Sequence, residues 1–566
     1  KFPHLGKDGD AVLRKIGLAK MGLHYPNNGE FLRQKGFSEE EISLFAHYHA
    51  AQQQNKLWDY EDLISFAVIL LRDHDEVRAK YQRRFHYLLV DEFQDTNPNQ
   101  YELIKLLSGD RSRITVVGDD DQAIYSWRGA SVRFLSDFER DFPGARVIKL
   151  EQNYRSTPEI LNFANLLISQ NTMRKSKRMW SDTQSSHPVF VLRSRSKEEE
   201  AEEIARLVNR LRDANPGLFP LAVLYRINSQ SLALETEFIK QRISFRILKG
   251  LRFFERKEIR DALALLRLAL NPADDLAFLR IVEFLPLGVG SRTLETLKAL
   301  AHERSLPLFA ALEAHLGDKF GAKPLFPLLR DLGRGKDELQ VAELLSKLLQ
   351  ASGYLGILEE KGEEERLLNL AELREFIGKW QEENPDAPFS DLLDRMTLET
   401  RESRGGEKTQ VFLLTMHNAK GLEFPTVIVS GVNSAYMPFF LRKERDEIEE
   451  ERRLFYVAST RASQLLVIST ASDRPSFFLQ QVSSASYLPA YSFREIVDGI
   501  FPCVPQPAAA RDDGRVDARR DGRFIVHPIF GRGRIIEKIS TSKYLIHFSD
   551  TGDKLIDTSV VQVEFV

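Results

Sequence analysis

Apolar positions along the chain change their spacing several times, and each change marks a different kind of element. From residue 39 to about 54 they recur at helical spacing, behind a Ser38 cap whose box is completed by Glu41. A second helical pattern runs over 58–72. The period then shortens. Tyr87-Leu-Leu-Val90 is an unbroken apolar run ending in Asp91-Glu92, and Ile114-Thr-Val-Val117 ends in Gly118-Asp119-Asp120-Asp121. Short apolar runs that end in glycine or acidic residues predict buried parallel strands whose carboxyl ends face a site. The helical pattern between them predicts right-handed βαβ crossovers.

Further along, Leu221–Tyr225 predicts another strand, 255 to about 405 predicts almost continuous helix, and Val411–Thr415 and 426–430 return to strand character. A helical block between two α/β stretches predicts an inserted domain. Residues 501–523 hold Pro-Cys-Val-Pro, three alanines and interleaved Arg, Asp and Gly, the composition of a solvated linker. From 524 to 566 short alternating runs with glycine turns predict a small β-barrel. There is no internal repeat.

Composition narrows the class. A chain of 566 residues exceeds one compact core and predicts three to five domains. With 43% hydrophobic and 28% charged residues, disorder is excluded as the main state. The longest apolar run, 66–71, is far short of the roughly 20 residues of a membrane helix. A single cysteine, Cys503, excludes a disulfide scaffold and a cysteine-ligated metal, and points to a reducing, cytoplasmic setting. The net charge of −3 carries no basic excess to announce nucleic acid, while leaving room for a locally basic groove.

The chemistry gathers at the strand ends. In Val90-Asp-Glu-Phe-Gln-Asp95, one carboxylate can hold Mg²⁺ while its neighbour orients an attacking water, the division of labour phosphoryl transfer needs. An isolated Asp-Glu pair is more often a solvated turn. The second polar cluster, Gly118 to Gln122, at the same sheet edge shifts the balance. Trp127 beside Arg128 in the loop that follows suits base stacking on a single strand, worth ~1–3 kcal/mol per base, against the ordinary role of tryptophan as core.

Taken in order, these segments resemble the superfamily 1 helicases of the UvrD, PcrA and Rep family. Leu88-Leu-Val-Asp-Glu-Phe-Gln-Asp95 is similar to motif II, Val117 to Ala130 to motif III, and Leu150-Glu-Gln-Asn-Tyr-Arg-Ser156 to motif IV. Phe253-Phe-Glu-Arg-Lys-Glu-Ile259 is similar to the segment opening the family's inserted domain. Leu414-Thr-Met-His-Asn-Ala-Lys-Gly-Leu-Glu-Phe424 resembles motif V, and Glu451 to Arg461 motif VI. The fold so implied is α/β: two RecA-like parallel-sheet domains, the first incomplete, with helical inserted domains and a small C-terminal β-barrel.

The resemblance assigns 1–84 to a remnant of inserted domain 1B and 85–150 to a remnant of domain 1A. It assigns 151–248 with 409–498 to domain 2A, 249–408 to inserted domain 2B, 499–522 to a linker and 523–566 to a Tudor-like barrel. The implied activity is ATP-dependent 3′-to-5′ DNA unwinding in repair or replication, with ATP and Mg²⁺ as cofactors. The implied partners are single-stranded DNA, its junctions with duplex, and RNA polymerase or repair factors at the tail; no membrane is implied. Asp91 and Glu92 would serve the metal, with Glu92 also orienting water, and Gln122 would sense the γ-phosphate. Arg155 and Arg461 would stabilise phosphoryl charge; Tyr154 would stack on adenine, and Glu423 and Gly421 would line the nucleotide. Tyr125, Trp127, Arg128, His417 and Phe253 would lie on or near the strand.

One departure stands out. The family's Gly-x-x-x-x-Gly-Lys-Ser/Thr phosphate loop is absent from the 566 residues: Gly6-Lys7 precedes Asp8, Gly335-Lys336 precedes Asp337, and Gly378-Lys379 precedes Trp380. Two expectations compete, a fragment of an active helicase and a degenerate homologue that binds DNA without hydrolysis. The retained Glu92, Gln122, Arg155 and Arg461 favour the fragment, whose first sheet should lack strands and leave apolar edges bare.

Overall fold

The computed structural model describes residues 9–109, 113–184, 187–320, 324–332, 340–388, 391–393, 410–471 and 474–501, and in the tail 524–527, 531–538, 543–548, 552–557 and 564–565. The chain divides into two compact units, Lys1–Phe493 and Arg494–Val566. No helix of the described residues is long and apolar enough to cross a membrane.

The first unit opens with helices Gly9–Met21, Gly29–Gln34, Glu39–Asn55, Tyr60–Asp73 and Asp75–Arg84. The Ser38–Glu41 capping box forms as read, the Ser38 oxygen accepting the Glu41 N–H. The next helix starts two residues later than its periodicity suggests. Asp59 caps it by accepting the Asp62 N–H, which leaves Trp58 outside the helix and exposed. Lys20 is wholly buried among these helices and donates to Asp59 (2.5 Å), Asp62 (2.9 Å) and Gln52 (2.9 Å). A buried ammonium is tolerated there because two carboxylates and an amide replace its water.

Strands β1 (Leu88–Val90) and β2 (Ile114–Val116) pair in parallel, Leu88 opposite Ile114. Helix Pro98–Ser108 lies between them in the chain. The pair has no further strand among the described residues. Leu89 is 80% exposed, and Tyr87, Val117, Ile148 and Leu150 also face solvent.

The larger sheet is built from two distant stretches. The first supplies β3 (Phe190–Ser194), β4 (Leu221–Tyr225) and β5 (Phe245–Ile247). The second supplies β6 (Val411–Thr415), β7 (Phe424–Val429), β8 (Ala462–Ala471) and β9 (Leu488–Ala490). Their order is β5-β6-β4-β7-β8-β3-β9, and every pairing is parallel. β7 starts two residues before the expected 426, at Phe424, whose N–H bonds the Arg461 carbonyl. All five residues of β4 are buried, as the unbroken apolar run requires when both faces of a sheet are covered. Helices Pro158–Ile168 and Arg445–Ser459 contribute Phe163 and Phe455 to this core.

Between β5 and β6 the described chain is helical and has its own core, centred on Leu265, Leu345, Leu348 and Leu373. In the second unit β10 (Phe524–His527), β11 (Gly531–Lys538), β12 (Lys543–Phe548), β13 (Gly552–Asp557) and β14 (Glu564–Phe565) form an antiparallel sheet ordered β13-β12-β11-β10-β14. Ile546, Phe548 and Ile556 make its core. Cys503, nearly all of the linker and the Gly6-Lys7 and Gly335-Lys336 pairs lie outside the described residues.

Candidate active site

Asp91 and Glu92 emerge exposed from the carboxyl end of β1. Glu92 adopts a left-handed backbone (φ 51°), a conformation that costs a non-glycine residue on the order of 1 kcal/mol. Its neighbours hold it there. The Glu92 N–H donates to Asp91 Oδ1 (2.8 Å) and Gln94 Nε2 donates to Glu92 Oε2 (2.5 Å). Gln94 Oε1 in turn accepts the Asp119 N–H (2.9 Å), tying the end of β1 to the loop after β2. Two adjacent hard oxygen donors at a strand end suit Mg²⁺.

The triple aspartate of that loop has other work. Lys177 reaches Asp119 at 2.7 Å, Asp121 at 3.0 Å and also pairs with Asp120, while Arg174 grips Asp121 through two bonds of 2.8 and 2.7 Å. Burial works against the Lys177 ammonium, but the three carboxylates outweigh it and lift its pKa above the ordinary lysine range. Two cations thus offset most of the charge of the three carboxylates. Gln122 donates from Nε2 to Asp119 Oδ2 (2.7 Å), which points its amide at the same strand end.

Across from these groups stand residues of the larger sheet. Asn153 Oδ1 accepts the Arg155 and Ser156 N–H groups, fixing the turn that carries Arg155. Arg155 Nε donates to Glu423 Oε2 (2.7 Å), holding both side chains at one rim. The pairing keeps the Glu423 carboxyl below its usual range. Arg461, buried just beyond helix Arg445–Ser459, donates to the Val457 carbonyl (3.0 Å) and the Leu422 carbonyl (3.3 Å). Burial first, then the Arg155 charge, bring its pKa down to about 10, still fully protonated at neutral pH. Glu92 and Asp119 lie within electrostatic reach of it and pull the other way. Tyr154 is 81% exposed, with its hydroxyl donating to Gln152 Oε1 (3.0 Å). Gly421 takes φ 81°, the turn that brings Glu423 back toward Arg155.

The aromatic turn follows the aspartates. Tyr125 is half-buried and Trp127 is 54% exposed, with their rings 6.3 Å apart edge to face. Arg128 covers both rings, at 5.0 and 4.6 Å. Gly129 (φ 82°) closes the turn; a Cβ there would be strained by backbone and would meet Met21 Sδ at 3.2 Å. Ser126 donates its N–H (3.0 Å) and its hydroxyl to Glu450 of helix Arg445–Ser459. His417 neighbours the turn, its carbonyl accepting the Tyr125 hydroxyl at 3.5 Å. Burial, then the charges of Arg226, Arg442 and Arg128, push its imidazole down to about 3, so it is neutral at pH 7.

Asp91, Glu92 and Gln122 thus gather at the ends of β1 and β2, while Arg155 pairs with Glu423 beside Arg461, which is within electrostatic reach of Glu92; Tyr125, Trp127, Arg128 and His417 neighbour one another. Phe253 joins none of these. Its ring is fully buried in the helical core, under Arg256 at 5.0 Å and against Phe254, because the turn it sits on opens the helical block with its apolar side inward. The expectation that Phe253 lies along the strand is corrected on that ground.

Sequence reasoning passed over three cations. Lys420 reaches out of the loop after β6 to Asp95 Oδ2 (2.6 Å), the Gln122 carbonyl (2.9 Å) and, at 3.8 Å, Glu92. Lys177 and Arg174 belong to the basic run Arg174-Lys-Ser-Lys-Arg178. That run could have been matched to the triple aspartate by charge alone.

Two family models match the chain, the UvrD/REP helicase N-terminal domain over 18–143 and the UvrD-like helicase C-terminal domain over 148–473. The ATP-dependent DNA helicase PcrA of Staphylococcus epidermidis is 34% identical over 499 residues, which is 86% of this chain and 68% of that protein. DNA helicase II of Escherichia coli K12 is 34% identical over 548 residues, 91% of this chain and 76% of that one. Among solved structures, the C-terminal domain of a possible DNA helicase from Lactobacillus plantarum aligns at 12% identity over 60% of this chain and 98% of that one, with a TM-score of 0.25.

Proposed function

The chain belongs to the UvrD-like helicase family, and from that premise we propose that it is the motor of an ATP-driven DNA helicase moving 3′ to 5′ along single-stranded DNA in repair or replication. The observation that supports this best is that Arg461, beside Arg155 on one half, lies within electrostatic reach of Glu92 and Asp119 on the other. Two guanidiniums facing an acidic strand end suit a reaction that builds charge on a transferred phosphoryl group.

In this reading Asp91 and Glu92 hold Mg²⁺, Glu92 aims the attacking water and Gln122 reads the terminal phosphate. Tyr154 offers its exposed ring to adenine, and Glu423 and Gly421 line the ribose side. When bound, ATP supplies the scissile phosphoanhydride whose cleavage drives cleft opening and closing. Tyr125, Trp127 and Arg128 present stacking and charge to the bases and backbone, with His417 beside them as a neutral donor or acceptor.

The proposed domains are 1–84 (1B), 85–150 (1A), 151–248 with 409–498 (2A), 249–408 (2B) and a tail, 523–566, that closes into a barrel and docks RNA polymerase or a repair factor. The proposed setting is the cytoplasm. Because the 566 residues hold no Gly-x-x-x-x-Gly-Lys-Ser/Thr loop, we propose that hydrolysis requires a segment carrying one, packed beside β1 on exposed Leu89. The competing reading, DNA binding without hydrolysis, is favoured only by that missing loop.

Single-turnover hydrolysis decides between them. The chain joined to such a segment should hydrolyse ATP with DNA stimulation, and Glu92→Gln should cut turnover by about a hundredfold or more while sparing DNA binding. Turnover by Glu92→Gln within about tenfold of the parent, ~1.4 kcal/mol of barrier, removes Glu92 from its assigned role.

A further inference from the structure

Lys420 stands on the half of the molecule that carries the larger sheet, yet every polar partner named above belongs to the other half. Its side chain is 8% exposed. The ammonium bonds Asp95 Oδ2 at the end of the β1 turn and the Gln122 carbonyl at the start of the aromatic turn. It also lies 5.0 Å from the centre of the Tyr125 ring, in cation–π contact. One charge therefore touches the acidic end of β1, the base of the aromatic turn and the first ring of that turn.

On one side the turn is fixed by packing, with Ile124 fully buried in the core of the larger sheet and Tyr125 set against it. A cavity of about 180 Å³ opens between it and helix Arg445–Ser459, lined by Tyr125, Ser126, Arg133, Glu450 and Arg453 among others. Beside the cavity, polar clasps hold it: Lys420 at its start and Glu450 on Ser126. Asp95 Oδ1 is buried with no partner among the described residues, so this carboxylate depends on Lys420 for compensation.

We propose that Lys420 is a positioning residue that holds the Tyr125–Arg128 turn against the acidic end of β1, and so sets how tightly that turn grips a single strand. The inference rests on the strand-binding reading of Trp127 given above. It differs from a stabilising role in a way that can be measured. Lys420→Met alone leaves a part-buried Asp95 without its ion-pair partner, so it should lower both the melting temperature and the affinity. Asp95→Asn with Lys420→Met removes both charges; stability should largely return, but the anchor on Gln122 and Tyr125 stays lost.

The experiment is fluorescence-anisotropy binding of a labelled oligothymidylate about 16 nucleotides long to the 566-residue chain, with melting curves on the same samples. Expected is about a tenfold loss of affinity in Lys420→Met that persists in the double variant despite its recovered melting temperature. Lys420→Arg, which keeps the charge, should recover much of the loss. A double variant that binds like the parent overturns the proposal, because affinity would then be following stability. If Lys420→Met does not fold, the double variant alone decides by the same criterion. Trp127→Ala, run alongside, separates the two readings. Parental affinity in Trp127→Ala sinks the strand site itself; weakened Trp127→Ala with an unaffected double variant sinks only the role of Lys420.

Discussion

The β1–β2 pair and the seven-stranded sheet follow one plan, parallel apolar strands with polar loops at their carboxyl ends, but they differ in cover. β4 is buried at every position, whereas no residue of β1 or β2 is fully buried. An apolar run in a sequence therefore announces a need for cover, and a neighbouring element must still supply it. The loops differ as well. Those of the pair are pinned by charges reaching across from the other half, Lys420 to Asp95 and Lys177 with Arg174 to the aspartates. The ends of the larger sheet are tied within their own half, by backbone bonds such as the Ser430 N–H to the Leu224 carbonyl and by the Arg226–Glu451 pair.

Substitutions can break this contrast at graded strength. The largest effect should come from a buried position: Leu224→Ala removes atoms from a fully covered strand and should cost ~2–5 kcal/mol in denaturant unfolding. Lys20→Met should cost about as much, ~3–5 kcal/mol, since Asp59 and Asp62 would keep their charges without a cation between them.

Trp127→Ala should fall below these and act on a different observable. It should weaken single-strand affinity by ~1–3 kcal/mol and hardly move the melting temperature. A melting loss as large as that of Leu224→Ala would make Trp127 a core residue. His417 tests the electrostatics. Its folded pKa of about 3 lies below the ordinary 6.5, so the unfolded chain takes up a proton first as pH falls. The stabilisation of the neutral ring is thus complete above about pH 6.5 and drains away toward pH 3, by at most about 2 kcal/mol at pH 5. His417→Asn should flatten that part of the stability–pH curve, and an unchanged slope would place the titration elsewhere. The smallest effect belongs to the bare face: Leu89→Ser should stay within ~0.5 kcal/mol while reducing light scattering on concentration.

Much of this was legible in the sequence, and the gaps have physical causes. β4 and β6 were readable to the residue because unbroken apolar runs of four or five have few other uses. The Tyr60 start was missed because Trp58 fits the helical period, while the Asp59 side chain, which the period does not register, ends it. At the site, chemistry-bearing residues next to one another in sequence, such as Asp91 with Glu92, were visible. Lys420 was not, since its meaning lies in Asp95 and Gln122, about 300 residues away in the chain. Phe253 was misread because an aromatic pair at a domain entrance looks the same in sequence whether it points outward or inward.

The register of β5 against β6 has a consequence for how the chain can change. The chain leaves the sheet at Ile247 and rejoins it at Val411, on hydrogen-bonded neighbours in which Phe245 faces Val411 and Ile247 faces Leu413. With strands about 4.8 Å apart, exit and re-entry are separated by roughly 10 Å. The helical block between them thus hangs from the sheet as a cassette on a narrow stem. Lengthening or exchanging it leaves strand order untouched, and each doubling of its length adds only about 0.6 kcal/mol of closure entropy. The part richest in helices among the described residues is therefore the part the sheet can most cheaply trade.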